Sequence, residues 1–144
     1  MTTKTDTSVL ALKIVHLNAF IHDMAEDGWT LLEDVPLALG ENPQFDLAEF
    51  LKDGETLIGG EEMRRRAKDL KAHLGQQHAE LLLAHQDQIP EDWQKFHPTF
   101  PGTVWQDGHG CNVMGLSWDG GRWYLDFRLF DVWHSDDRLV RLRE

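Results

Sequence analysis

The chain has 144 residues and a formal net charge of −11, from 14 Lys and Arg against 25 Asp and Glu. Hydrophobic residues make up 41% and charged residues 27%, which excludes an intrinsically disordered protein. We therefore expect one domain over residues 1–144, since this length can bury a single core. The alternative is a subdivision at the proline-containing stretch near residue 90, into a helical part (1–89) and a β part (90–144).

Cysteine content and hydropathy predict the compartment. A lone cysteine, Cys111, excludes an intramolecular disulfide and a zinc site made mainly of cysteines. The first twenty residues are too polar for a secretion signal, and nowhere do 18 apolar residues run together. These features predict a cytoplasmic protein that does not span a membrane.

The first predicted element is a helix from about residue 8 to Gly28. Leu10, Ile14, Leu17 and Ile21 recur at the spacing of one helical face, and Gly28 is a typical residue at a helix end. This apolar stripe is expected to pack in the core.

A second, short helix is predicted from Asp46 to about Gly54. Asp46 and Glu49 have the spacing of a capping box, and Phe45 and Phe50 occupy the positions of a hydrophobic staple around it.

A long third helix is predicted from about Glu61 to Gln88, before Pro90. Its first turn is acidic, which suits the helix dipole, and its apolar residues recur at helical spacing. Gly75 is the point where this helix could bend or split in two.

From residue 99 the pattern changes to the alternation of β-strands, expected at 103–106, 111–118, 122–130 and 138–143. Asp-Gly-His-Gly at 107–110 and Asp-Gly-Gly at 119–121 are strong hairpin signals. The predicted fold is therefore α+β, with N-terminal helices (about 8–88) packed on a C-terminal antiparallel meander of three or four strands (about 102–143).

Negative charge is concentrated between residues 21 and 60, where ten acids face one base, Lys52. Such a surface repels nucleic acid, so direct DNA or RNA binding is not expected. The segment suits a basic protein partner instead. The predicted partner-binding residues are four acids and one exposed aromatic: Glu33, Asp34, Glu41, Asp46 and Trp133.

A second interpretation assigns chemistry to the lone thiol. His109 lies two residues before Cys111, and His134 could approach from another turn, so the three could bind a metal or activate the thiolate. Motifs for nucleotide binding, zinc proteases and serine hydrolases are absent from the sequence, and no cofactor is expected.

The sequence thus favours a non-enzymatic accessory or inhibitor protein that binds a protein partner through the acidic segment 21–60 and exposed aromatics. A specific version is a nucleic-acid mimic, whose carboxylates replace phosphates. The alternative is a small metal- or thiol-dependent enzyme using Cys111, His109 and His134. A third interpretation is a self-assembling protein that uses its apolar β face. The oligomeric state is left open.

Overall fold

We describe the fold from a computed structural model, which describes residues 20–40 and 43–143. About 40% of these residues are in strands and 25% are in helical segments. The strands are β1 (Thr30–Glu33), β2 (Phe45–Ala48), β3 (Leu57–Gly59), β4 (His97–Asp107), β5 (Gly110–Asp119), β6 (Arg122–Leu129), β7 (Val132–His134) and β8 (Asp137–Leu142). The α-helices are α1 (Gly60–Asp69) and α2 (Gln76–Ala84), and short 3-10 turns cover Met24–Asp27, Gln86–Gln88 and Glu91–Lys95.

Six strands form one mixed sheet in the order β2-β8-β4-β5-β6, with β1 pairing separately with β4. The strand β4 is long enough to have two neighbours on one side. Its first residues pair in parallel with β8, and its last residues pair antiparallel with β1. The strands β3 and β7 form a separate two-stranded sheet.

The predicted hairpins of the meander are correct. The strands β4, β5 and β6 are consecutive antiparallel neighbours, joined at the two glycine-containing turns. The predicted last strand exists as β8, but it lies beside β2 and β4 and not beside β6.

The predicted N-terminal helices are wrong within the described part of the chain. Residues 8–19 lie outside the described residues. In the rest of the first predicted helix, from residue 20 to Gly28, only the 3-10 turn Met24–Asp27 is helical, with Asp23 as its cap. The predicted helix at 46–54 is replaced by β2, which pairs with β8 from Phe45 to Ala48. A four-residue capping pattern stabilises a helix only weakly, whereas pairing with β8 buries Ala48.

The third predicted helix is interrupted, and α1 and α2 are its two pieces. Gly75 precedes α2 and lies against β4: a Cβ there would be 2.5 Å from the Thr103 hydroxyl and 2.9 Å from the Val35 carbonyl oxygen. The break begins before the glycine, because α1 ends at Asp69 and Lys71 has a positive φ of 56°. At Gly75, directly before α2, the close approach leaves no room for a side chain.

Hydrophobic cores lie on both faces of the main sheet. One core joins Met63 and Ala67 of α1 to β4, β5 and Trp133. The other joins α2 to a set of large side chains that includes Phe100, Trp105 and Trp123. Strands from residues 1–89 and from residues 90–144 therefore share one sheet. Within the described residues, no helix is both long and apolar enough to cross a membrane.

Candidate binding cleft

The predicted acidic residue Glu33 faces a cation of its own chain. Both of its carboxylate oxygens accept hydrogen bonds from the Arg64 guanidinium of α1, at 2.7 and 2.8 Å. These hydrogen bonds lower the pKa of Glu33 below its ordinary value. Half of the Glu33 side chain is exposed, but its charge is compensated within the molecule.

The other predicted acids within the described part also have internal partners. Asp34 accepts a hydrogen bond from the Thr103 hydroxyl at 2.7 Å. Asp46, in β2, accepts one from Arg141 of β8 at 2.8 Å. Glu41 lies outside the described residues. Several carboxylates of the 21–60 segment are therefore already engaged in ion pairs and hydrogen bonds inside the molecule.

The prediction that Trp133 is an exposed aromatic anchor is wrong, because its side chain is buried. Its side chain is only 1% exposed, between α1 and the sheet, and the Arg128 guanidinium lies 4.7 Å from the centre of its ring. A buried ring cannot be the contact that a partner meets first.

The structure does not assemble the alternative site of His109, Cys111 and His134. His109 lies exposed in the β4–β5 turn, Cys111 is partly buried near the start of β5, and His134 is exposed in β7. Among residues 20–40 and 43–143, no group of three or more His, Cys, Asp or Glu side chains is arranged to hold a metal ion. The geometry therefore gives this chemistry no support.

The structure instead presents an open cleft between the 3-10 turn Glu91–Lys95 and strand β5. It has a volume of about 710 Å³. Its lining residues, one aromatic and four polar, are Trp118 from β5 and Glu91, Asp92, Gln94 and Lys95 from the turn. We call this feature the Trp118 cleft.

Buried neighbours position both walls of the Trp118 cleft. Trp93, in the middle of the turn, is buried in the core and holds the turn against the sheet. Trp118 packs edge-to-face against Trp123, with ring centres 5.5 Å apart. Trp123 is fully buried, and its backbone N–H donates a hydrogen bond to the Gln86 side chain at 2.9 Å. Trp118 is therefore half-buried on a rigid support.

The acids of the cleft differ from those of the 21–60 segment. Glu91 and Asp92 are exposed, and within the described part of the chain neither carboxylate has a hydrogen bond or an ion pair. The ammonium group of Lys95, the one cation among the lining residues, lies 5.5 Å from the ring centre of Phe96. An indole ring beside two uncompensated carboxylates is an environment that suits a cationic group.

The sequence analysis did not identify this cleft. It named Trp133 and not Trp118 as the exposed aromatic, and it assigned no role to Glu91 or Asp92. The proximity of Trp118 to these two acids depends on the packing of Trp93, which no local pattern predicts. Comparisons with protein-family models, with curated proteins and with solved structures found no match to this chain.

Proposed function

We propose that the protein is a non-enzymatic binding protein whose Trp118 cleft binds a lysine- or arginine-rich segment of a protein partner. The observation that carries the proposal is the presence, in one shallow and open surface depression, of a half-buried indole ring and two carboxylates that have no partner in the described chain.

Physical chemistry favours a cationic ligand here. The face of a tryptophan attracts a guanidinium or ammonium group, and a nearby carboxylate adds an ion pair and hydrogen bonds. The Trp118 ring is already ordered by Trp123, so a ligand would lose little free energy by immobilising it. The overall charge of −11 would also accelerate the approach of a basic partner.

The protein is still proposed to bind a basic partner through carboxylates, but the binding surface moves from the 21–60 segment to the Trp118 cleft. Glu33 and Asp46 engage arginines of the same chain, so they contribute less to a nucleic-acid mimic than free carboxylates would. Among the residues that the structure describes, no lysine or arginine forms an ion pair with Glu91 or Asp92, although Lys95 lines the same cleft. The carboxylates at this end of the sheet are therefore the better candidates for contact with a basic protein.

The test uses a fluorescent peptide of alternating lysine, arginine and glycine, titrated with the protein at physiological salt. The cleft variant is Glu91→Gln/Asp92→Asn. Its control is Glu26→Gln/Asp27→Asn, which removes the same charge from two exposed acids on the 3-10 turn Met24–Asp27. We expect the cleft variant to bind about tenfold more weakly and the control to bind within about twofold of the wild type.

A second variant, Trp118→Leu, separates the aromatic contribution from the charge. It should weaken binding at high salt as well as at low salt, because the cation–π contact is screened less than exposed ion pairs are. Equal weakening by the cleft variant and its control would show that only net charge matters, and would contradict the proposal. Failure of the peptide to bind the wild type would contradict it as well.

A further inference from the structure

Among residues 20–40 and 43–143, no strand pairs with the outer edge of β6, and the geometry of this edge can be assigned residue by residue. The hairpin to β5 closes with the two-residue turn Gly120–Gly121, both at positive φ (61° and 84°), so Asp119 and Arg122 form a hydrogen-bonded pair. The alternation of an antiparallel ladder then directs the backbone groups of Arg122, Tyr124, Asp126 and Arg128 towards β5. The backbone groups of the intervening residues point away from the sheet.

Two observed hydrogen bonds support this assignment. The N–H of Trp123 points away from β5 and donates to the Gln86 side chain. The N–H of Phe130 points towards β5 and donates to the Cys111 carbonyl oxygen at 2.7 Å. The outward backbone groups of Leu125 and Phe127 have no such partner among the described residues, and no described strand pairs with this edge.

The outward groups without a partner among the described residues are those of Leu125 and Phe127, since the Trp123 N–H donates to Gln86 and the Leu129 carbonyl oxygen accepts the Asp131 N–H at 2.9 Å. An edge with such groups is a template for another strand. Leu129, at the end of the same edge, is 48% exposed although its side chain continues the apolar face of β6. The edge therefore offers both hydrogen bonds and an uncovered apolar side chain to a strand laid against it.

The side chains of β6 are complementary to those of a second copy in one register. If two copies pair antiparallel about Phe127, each Leu125 lies opposite the second copy's Leu129. Each Asp126, which accepts a hydrogen bond from Ser117, lies opposite the second copy's Arg128, which is paired with Asp137 of its own chain. The exposed leucine gains an apolar neighbour across such a pair, and the charged side chains that face each other are opposite in sign. In this register Trp123 lies near the end of the paired segment, so its hydrogen bond to Gln86 does not interrupt the pairing at Leu125 and Phe127.

The neighbouring registers are unfavourable. Pairing about Leu125 places Arg122 opposite Arg128, and pairing about Asp126 places two carboxylates directly opposite each other. Like charges in these positions are destabilising. A slip by a single residue would direct the wrong backbone groups at each other.

We propose that the protein forms a symmetric homodimer through antiparallel pairing of β6, with Phe127 opposite Phe127. The two sheets then join into one continuous sheet. The interface lies at the end of β6 far from Trp118, so each copy keeps its own cleft.

The first experiment measures mass in solution by light scattering over a wide range of protein concentration. The variant is Leu129→Lys, which puts a charge at the edge without disturbing a buried residue. The control is Leu57→Lys in β3, which changes an equally exposed leucine, also 48%, away from β6. We expect the wild type and the control to reach twice the chain mass of 16.6 kDa, and Leu129→Lys to remain at 16.6 kDa.

The second experiment measures amide hydrogen exchange by NMR. Exchange at Leu125 and Phe127 should slow as the concentration of the wild type rises, while Tyr124, already bonded to β5, should not change. A wild type that is monomeric throughout would overturn the proposal. A dimer that survives Leu129→Lys, is lost in Leu57→Lys, or leaves these two amides unprotected would overturn it too.

Discussion

The side-chain oxygen of Gln76 accepts the indole N–H of Trp105 at 2.7 Å, and both side chains are buried. The amide nitrogen of Gln76 donates to the His22 carbonyl oxygen at 2.7 Å and to the Glu80 carboxylate at 3.1 Å. Glu80 in turn accepts the backbone N–H groups of Ile21 and His22. One glutamine at the start of α2 thereby ties the sheet to the segment that precedes β1.

Replacing Gln76 should lower the free energy of unfolding. We expect Gln76→Leu to destabilise the protein by about 3 kcal/mol, because the indole N–H and the Glu80 carboxylate each lose a partner inside the core. Urea unfolding measures the change. The matched control is Gln88→Leu at an exposed position, which should alter the stability by less than about 0.5 kcal/mol. Equal stability of the two variants would contradict the role assigned to Gln76.

Gly102 is a second position where a small change should matter. A Cβ there would be 2.3 Å from the His73 carbonyl oxygen and 2.8 Å from that of Leu74, so β4 passes the α1–α2 connection with no room for a methyl group. We expect Gly102→Ala to lower the melting temperature sharply, with a cost of at least ~2 kcal/mol. Gly108→Ala, where a Cβ meets nothing within 4 Å, is the control and should unfold within a few degrees of the wild type.

His78 should make the stability depend on pH between about 6.5 and 4. Burial lowers its pKa to about 4, and its Nδ1 atom accepts the Gly75 N–H. The unfolded chain therefore binds a proton at a higher pH than the folded one, so stability is complete above pH 6.5 and falls as the pH is lowered towards 4. The loss attributable to this group is roughly 3 kcal/mol.

The measurement for His78 is urea unfolding at several pH values. His78→Gln keeps a hydrogen-bond acceptor and cannot be protonated, so its stability should fall less steeply across this range. His109→Gln removes an exposed histidine and should retain the wild-type slope. Identical slopes for all three proteins would show that His78 does not control this transition.

Glu55 should make the stability of the fold depend on pH in a more acidic range than His78 does. Both of its carboxylate oxygens accept hydrogen bonds from Arg66, at 2.6 and 2.9 Å, and these bonds lower the pKa of Glu55 to about 2. Because this folded-state pKa is depressed, the ion pair stabilises the fold above the ordinary value of 4.5, and this contribution is lost as the pH falls through about 2.

We therefore expect Glu55→Gln to be less stable than the wild type at neutral pH, with the difference vanishing as the pH approaches 2. Thermal melting at successive pH values measures this convergence. Asp53→Asn, an exposed acid two residues away, serves as the control and should follow the wild type throughout. A constant difference between Glu55→Gln and the wild type would exclude the ion pair as its cause.

The sequence by itself determined the two hairpins and the apolar face of β6. Gly120 and Gly121 form the second turn at positive φ, and Gly110, directly after the first turn, also has a positive φ of 139°. The alternation of β6 places Trp123 on the apolar face. These features depend on neighbouring residues only, so they can be predicted without knowledge of the rest of the chain.

Only the tertiary structure decided what happens to segments whose local preference is weak. Phe45–Ala48 carries a helix-capping pattern but pairs with β8, about 95 residues away, because burial outweighs a capping preference of about 1 kcal/mol. The charge of Glu33 is compensated by Arg64, and Trp133 is buried beneath Arg128. The Trp118 cleft likewise depends on Trp93 packing into the core from a distant turn. Burial and charge compensation are properties of contacts between remote residues, so composition and spacing along the chain do not reveal them.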